Sequence, residues 1–105
     1  MIARGDVWDV DLGPIVRPVV VVTRAAAIPV LNRLNCVAVT RTVRGHVAEV
    51  ELTSAYGLDD PSFANCDWIV SVAKDAFLRR RGALDPTTAR RLDVALLIAL
   101  GLDVP

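Results

Sequence analysis

The chain has 105 residues, 53% of them hydrophobic, with 12 basic and 12 acidic side chains and a formal charge of zero. That length fits one domain, 1–105, with a real core but little margin. Two cysteines and a single histidine give neither a disulfide framework nor a zinc-ligand spacing, so no metal or cofactor is expected. Arg4, Asp6, Asp9 and Asp11 break the opening too early for a signal peptide. The longest apolar runs, such as 94–102, fall far short of the ~20 residues a membrane span needs. The expectation is a cytoplasmic protein.

Trp8, Val10 and Leu12 alternate with Val7, Asp9 and Asp11, the period of a half-buried strand. Gly13-Pro14 breaks it. Pro18 to Thr23 is apolar on both faces and suits a central strand, with Pro18 tolerated at its first position. Residues 25–35 read as an irregular connection with helical tendency, interrupted by Pro29. Cys36 to Thr40 is a second buried strand, and Val43 to His46 a turn around Gly45. Val47 to Leu52 is a strand with Glu49 and Glu51 outward. Tyr56 to Ala64 is a loop. Cys66 to Val72 is a strand, and Leu78 to Ala83 a short last one. Both cysteines fall inside apolar runs and read as reduced core residues.

Asp85-Pro86 opens a helix, with Asp85 suited to the N-cap and Pro86 to the first helical position. Ala89, Leu92, Leu96, Ala99 and Leu100 form one face, and Gly101 ends it. Val94, Leu97 and Ile98 lie around the other side, so the helix should be buried twice: on its own sheet and on a second copy. The picture is a mainly β chain, a small and strongly curved sheet or barrel with one C-terminal helix.

The charge is uneven. No acidic residue lies between Gly13 and Ala48, where Arg17, Arg24, Arg33, Arg41 and Arg44 cluster. Such a local positive field attracts polyanions even on a neutral chain. Trp8, Tyr56 and Trp68 are candidates to stack bases, against the plainer reading of the two tryptophans as core. Arg79-Arg80-Arg81 reads as a solvated strand or loop. There is no P-loop and no cysteine–histidine nucleophile. RNA carries its own nucleophile, the 2′-hydroxyl, so a protein that aligns it and neutralises the phosphorane needs only an arginine fork and a hydroxyl. His46 is the conventional proton-transfer residue, but one histidine in a turn is an ordinary surface feature.

Arg4-Gly5-Asp6-Val7-Trp8, Asp11-Leu12, Arg17-Pro18-Val19-Val20-Val21 and Val37-Ala38-Val39-Thr40 follow one another in an order that resembles the MazF/PemK family of toxin endoribonucleases. The order continues through Glu49-Val50-Glu51-Leu52, Ala64-Asn65-Cys66-Asp67-Trp68-Ile69 and the terminal helix. The resemblance implies an SH3-like (MazF/PemK/CcdB-type) small barrel that forms a homodimer. It also implies a sequence-specific, metal-independent endoribonuclease, the toxin of a type II toxin–antitoxin system, held by a cognate antitoxin. Its RNA target would be mRNA, rRNA or tRNA. The family's catalytic arginine maps onto Arg17 and its catalytic threonine onto Thr40. Arg24, Arg41, Thr42, Arg44 and Asn65 are the candidate RNA contacts, and Asp67 a carboxylate that pairs with an arginine. The loop before Arg17 is only Gly13 to Val16 and lacks the acidic residue found there in many members. Two other readings carry over: a CcdB-like toxin that binds gyrase through the same barrel, and an inactive relative that only titrates an antitoxin.

Overall fold

The computed structural model describes residues 1–42, 45–53, 56–58 and 61–102. Six strands form one antiparallel sheet: β1 (Asp6–Asp11), β2 (Val16–Val21), β3 (Arg33–Thr40), β4 (Glu49–Leu52), β5 (Ser62–Ala73) and β6 (Phe77–Ala83). The spatial order is β4-β5-β3-β2-β1-β6, and the sheet curls into a half-barrel. One helix, α1 (Pro86–Ala99), packs across β4 and β5. The mainly β architecture with a terminal helix is the one expected from the sequence.

The middle stretches of the central strands, 19–21 and 36–39, are apolar because both of their faces are covered. Val20, Val37 and Val39 join a core with Leu92 and Ala95 of α1. Val19, Val21 and Cys36 point the other way, into a second core with Val10, Ile28, Leu34 and Val72. That is the two-strand version of a continuous hydrophobic run. Trp8 lies in this second core, edge-on to Phe77 at 5.7 Å between ring centroids, and its indole N–H donates to Asp6.

Two strands are irregular, and both irregularities matter below. Val37 pairs with Ile69, but the next residue, Ala38, pairs with Asn65. Cys66, Asp67 and Trp68 are therefore bulged out of the β3–β5 ladder. Being odd in number, they reverse the pleat: Ala64 faces the helix-side core, while Val70 and Val72 face the other. In β6, Val7 pairs with Gly82 and Trp8 with Arg80, which leaves Arg81 as a bulged residue.

Several boundaries differ from the sequence reading. β3 begins at Arg33, because the connection after β2 holds only a short 3₁₀ turn, Ala25–Ala27. β5 begins at Ser62, inside the stretch read as a loop. The helix ends at Ala99, with Gly101 at φ +66° beyond it. Its inward face is Leu92, Ala95, Leu96 and Ala99, spaced i, i+3, i+4, i+7. Leu100, expected on that face, lies past the last helical turn and is exposed, as are Val94, Ile98 and Leu102. Part of the turn around Gly45, namely Val43 and Arg44, lies outside the described residues, as do Asp59 and Asp60 of the following loop.

The helix start is built as expected. Asp85 caps it by accepting from the Thr88 N–H at 2.8 Å, and Pro86 takes the first position. Asp85 also accepts from the Tyr56 hydroxyl at 3.0 Å, so the 56–58 loop is tied to the helix N-terminus. The Tyr56 ring is buried at 3% exposure and serves the core, not base stacking.

Candidate active site

A groove of about 610 Å³ runs across the sheet end where β2 begins and β3 ends. Arg17, Thr40, Arg41, Thr42 and Asn65 line it, so five of the seven candidate site residues share one place. Asp9, Leu58, Ser62, Trp68 and Arg81 are among the other residues of its polar and apolar walls. Arg24 does not join them. It sits beyond the opposite end of β2, where the chain enters the 3₁₀ turn. Arg44 lies outside the described residues. His46 is exposed and is not part of the groove wall.

Sheet register brings the two principal residues together. β2 pairs with β3 as Val19 with Ala38 and Val20 with Val37. Continued by two residues, that register sets Arg17 opposite Thr40. Pro18 has no N–H to give to the ladder, so the strands are free to separate at this rim. The Arg17 side chain is fixed from two sides. Its Nη1 donates to the Val39 carbonyl at 3.2 Å, and its guanidinium carbon lies 4.6 Å from the centroid of the Trp68 ring. Its Nε is buried and has no hydrogen-bond acceptor among the described residues. A buried guanidinium N–H without an acceptor costs free energy, so it is a donor poised for an anionic oxygen. The Thr40 hydroxyl donates weakly to the Thr42 carbonyl at 3.4 Å.

Trp68 is 38% exposed, which corrects the reading of it as a core residue. The three-residue bulge in β5 turns it out of the sheet and over Arg17. Arg81 was read as solvated, yet it is well covered. Its Nε donates to Asp9 at 2.9 Å and its Nη1 to the Gly57 carbonyl at 2.6 Å. Asp67, expected to pair with an arginine, is exposed, and its backbone N–H donates to the Asn65 side chain at 3.0 Å. Among the described residues, Asp9 is a carboxylate that holds a groove arginine, Arg81. No alternation pattern points to Arg81. The available signal was an acid and a base on strands that a barrel makes neighbours.

Among the described residues the groove carries three arginines and one carboxylate, a positive surface. Also among them, no group of three or more His, Cys, Asp or Glu side chains could hold a metal ion. Cys36 and Cys66 are fully buried and free of disulfide, away from the groove. Burial pushes both thiols up to about 12, and for Cys66 the neighbouring Asp67 charge adds to it. No helix among the described residues is long and apolar enough to cross a membrane.

Residues 3–100 match the model of the PemK-like, MazF-like toxins of type II toxin–antitoxin systems. The chain is 38% identical over 103 residues to the probable endoribonuclease MazF5 of Mycobacterium tuberculosis, covering 93% of this chain and 92% of that one. In structure it is similar to the M. tuberculosis toxin MazF-mt6, with a TM-score of 0.88, 29% identity and coverage of 94% and 99%. It is also similar to a mycobacterial endoribonuclease solved in complex with its cognate antitoxin, with a TM-score of 0.91, 28% identity and full coverage of both chains. The fold, the ordered motifs and the full-length match together make this chain a member of the PemK/MazF family of type II toxins.

Proposed function

We propose that this toxin is an endoribonuclease that cuts single-stranded RNA in the groove between β2 and β3, by attack of the RNA's own 2′-hydroxyl. The observation that carries this reading is the buried Nε of Arg17, a guanidinium donor with no described acceptor at the centre of a positive groove. The endoribonuclease names of the relatives favour RNA over gyrase as the target.

In this reading the scissile phosphate lies against Arg17, which supplies Nε and a free Nη2 hydrogen to two phosphoryl oxygens. Trp68 and the Val39 carbonyl hold the fork in one plane before RNA arrives, so little reorganisation is needed as charge builds on the phosphorane. The 2′-hydroxyl passes its proton to solvent water and its oxygen attacks phosphorus in line. The bond to the 5′-oxygen breaks, and that oxygen takes a proton back from water, so no net proton is gained or lost. A 2′,3′-cyclic phosphate and a 5′-hydroxyl result. Thr40, opposite Arg17, hydrogen-bonds the same phosphoryl group. Arg41, Thr42 and Asn65 hold the neighbouring nucleotides.

The working particle in this reading is a cytoplasmic homodimer. Val94, Ile98, Leu100 and Leu102 leave an exposed apolar strip on and just past α1, more than one small domain need show to water. A cognate antitoxin would compete for the arginines of the groove through acidic side chains, and that competition weakens with salt.

The test is cleavage in excess EDTA. Purified protein is expected to cut a single-stranded oligoribonucleotide and leave the cyclic phosphate. A single 2′-deoxy substitution at the cut position should abolish the cut, and Arg17→Ala should nearly do so. Activity lost in EDTA and restored by magnesium would sink the mechanism.

A further inference from the structure

Resting on the reading of the groove as an RNA site, we propose that Asp9 and Arg81 are a base-reading pair, a specificity determinant distinct from the Arg17–Thr40 cleavage set. The two side chains line the same groove as Arg17 but are joined to each other. Arg81 spends Nε on Asp9 Oδ2 and Nη1 on the Gly57 carbonyl. Its Nη2 and the Asp9 Oδ1 bond to no described residue. Both residues line the groove, so this net-neutral pair leaves one donor group and one acceptor oxygen for a ligand bound there.

Charge separates this pair from a phosphate clamp. A phosphate is met by an uncompensated cation, and Arg17 fills that role. A donor and an acceptor fixed side by side match the edge of a nucleotide base, which presents the same two functions in a set order. Single-stranded RNA exposes that edge.

The pair is also built to stay in place. Arg81 is a bulged residue of β6, released from the ladder. Its guanidinium stem packs on Gly57, at φ +68°, where a Cβ would meet the Arg81 carbonyl oxygen at 3.2 Å and its Cδ at 3.7 Å. Arg81 and Asp9 are only 23% and 14% exposed. A flexible surface ion pair would discriminate little; a covered and triply held one reads a fixed pattern.

Asn at position 9 provides the test. Its carbonyl oxygen can still accept from Arg81, while its amide now turns a donor toward the groove. A randomised RNA library is cut by wild-type protein, Asp9→Asn and Arg81→Lys, and the 5′ ends are sequenced. Folding is checked by circular dichroism. Asp9→Asn is expected to cut at new sites, with the favoured base at one position near the cut changed by about tenfold or more. Arg81→Lys, which loses the fork, should flatten the preference at that same position. If both variants cut the same sites in the same proportions, at whatever rate, the pair does not read bases. If both fail to fold, the pair is structural and the proposal also falls. Wild-type protein that cuts nothing refutes the ribonuclease reading itself, which is a different failure from unchanged sites.

Discussion

The guanidinium of Arg17 sits over Trp68, its carbon 4.6 Å from the ring centroid, while one nitrogen donates to the Val39 carbonyl. The indole therefore acts on chemistry through the arginine. It limits where the fork can point and shields it from water.

That relationship ranks three variants. Arg17→Ala should slow RNA cleavage by roughly 10²–10³, the size of losing one charge-stabilising donor. Thr40→Ala should cost less, since a neutral hydroxyl stabilises a phosphorane less than a guanidinium does. Trp68→Ala should cost about 5–30-fold, the rate equivalent of a cation–π contact of ~1–2 kcal/mol. Trp68→Phe should recover most of it. Single-turnover rates on one oligoribonucleotide check the order. A wild-type rate for Arg17→Ala would show that the site is misplaced.

The helix separates fold from assembly. Leu96 packs on the helix-side core. Leu96→Glu should thus lower the melting temperature at every protein concentration. Ile98, 49% exposed, should behave differently. Ile98→Glu is expected to leave the fold intact and halve the mass seen by light scattering at micromolar concentration. A wild-type protein that is monomeric and active there contradicts the dimer.

The two thiols should be inert in the native state. Both are fully buried and pushed up to about 12, so almost none is thiolate at pH 8. A thiol-reactive probe should label neither cysteine in buffer and both in denaturant, read by intact mass. Rapid labelling of Cys66 alone would mean that the bulge around it opens.

Acid should loosen the helix start. The Thr88 N–H and then the Tyr56 hydroxyl hold the Asp85 carboxyl below its ordinary value of 3.8. A carboxyl lowered by folding contributes stability that is present above that value and is lost as pH falls through the folded one. Wild-type protein should lose melting temperature below about pH 4 more steeply than Asp85→Asn, which has no proton to take up there. Parallel curves for the two would place the acid sensitivity at another carboxylate.

How much of this was legible in the sequence depended on regularity. Pro18 to Val22 announced a strand buried on both sides, and Asp85-Pro86 announced a capped helix, because each obeys one local rule. Arg17, Thr40, Arg41, Thr42 and Asn65 could be named as a set because ordered motifs carried them. Trp68 was legible as a base-stacking candidate but not as the support of Arg17, and Arg81 was not legible as part of the site. Each sits in a β-bulge, where the two-residue period that makes strands readable is interrupted. Counting through a bulge put Trp68 in the core, whereas Arg81 was given to solvent because it closes a run of three arginines. Leu100 was misplaced for a related reason: the helical period was extended past the residue at which the helix stops.

The three residues that bulge from β5 also set what this protein tolerates in length. Loops usually absorb insertions and deletions, but here the sensitive point is the middle of a strand. Cys66, Asp67 and Trp68 shift the pleat by an odd count, so one strand delivers Ala64 to one core and Val72 to the other. Deleting a single one of them would leave an even count and turn every residue on one side of the break to the wrong face. Deleting Asp67 and Trp68 together would keep the parity and leave Cys66 in its core, at the cost of the platform beneath Arg17. Length variants of this segment should therefore survive in steps of two.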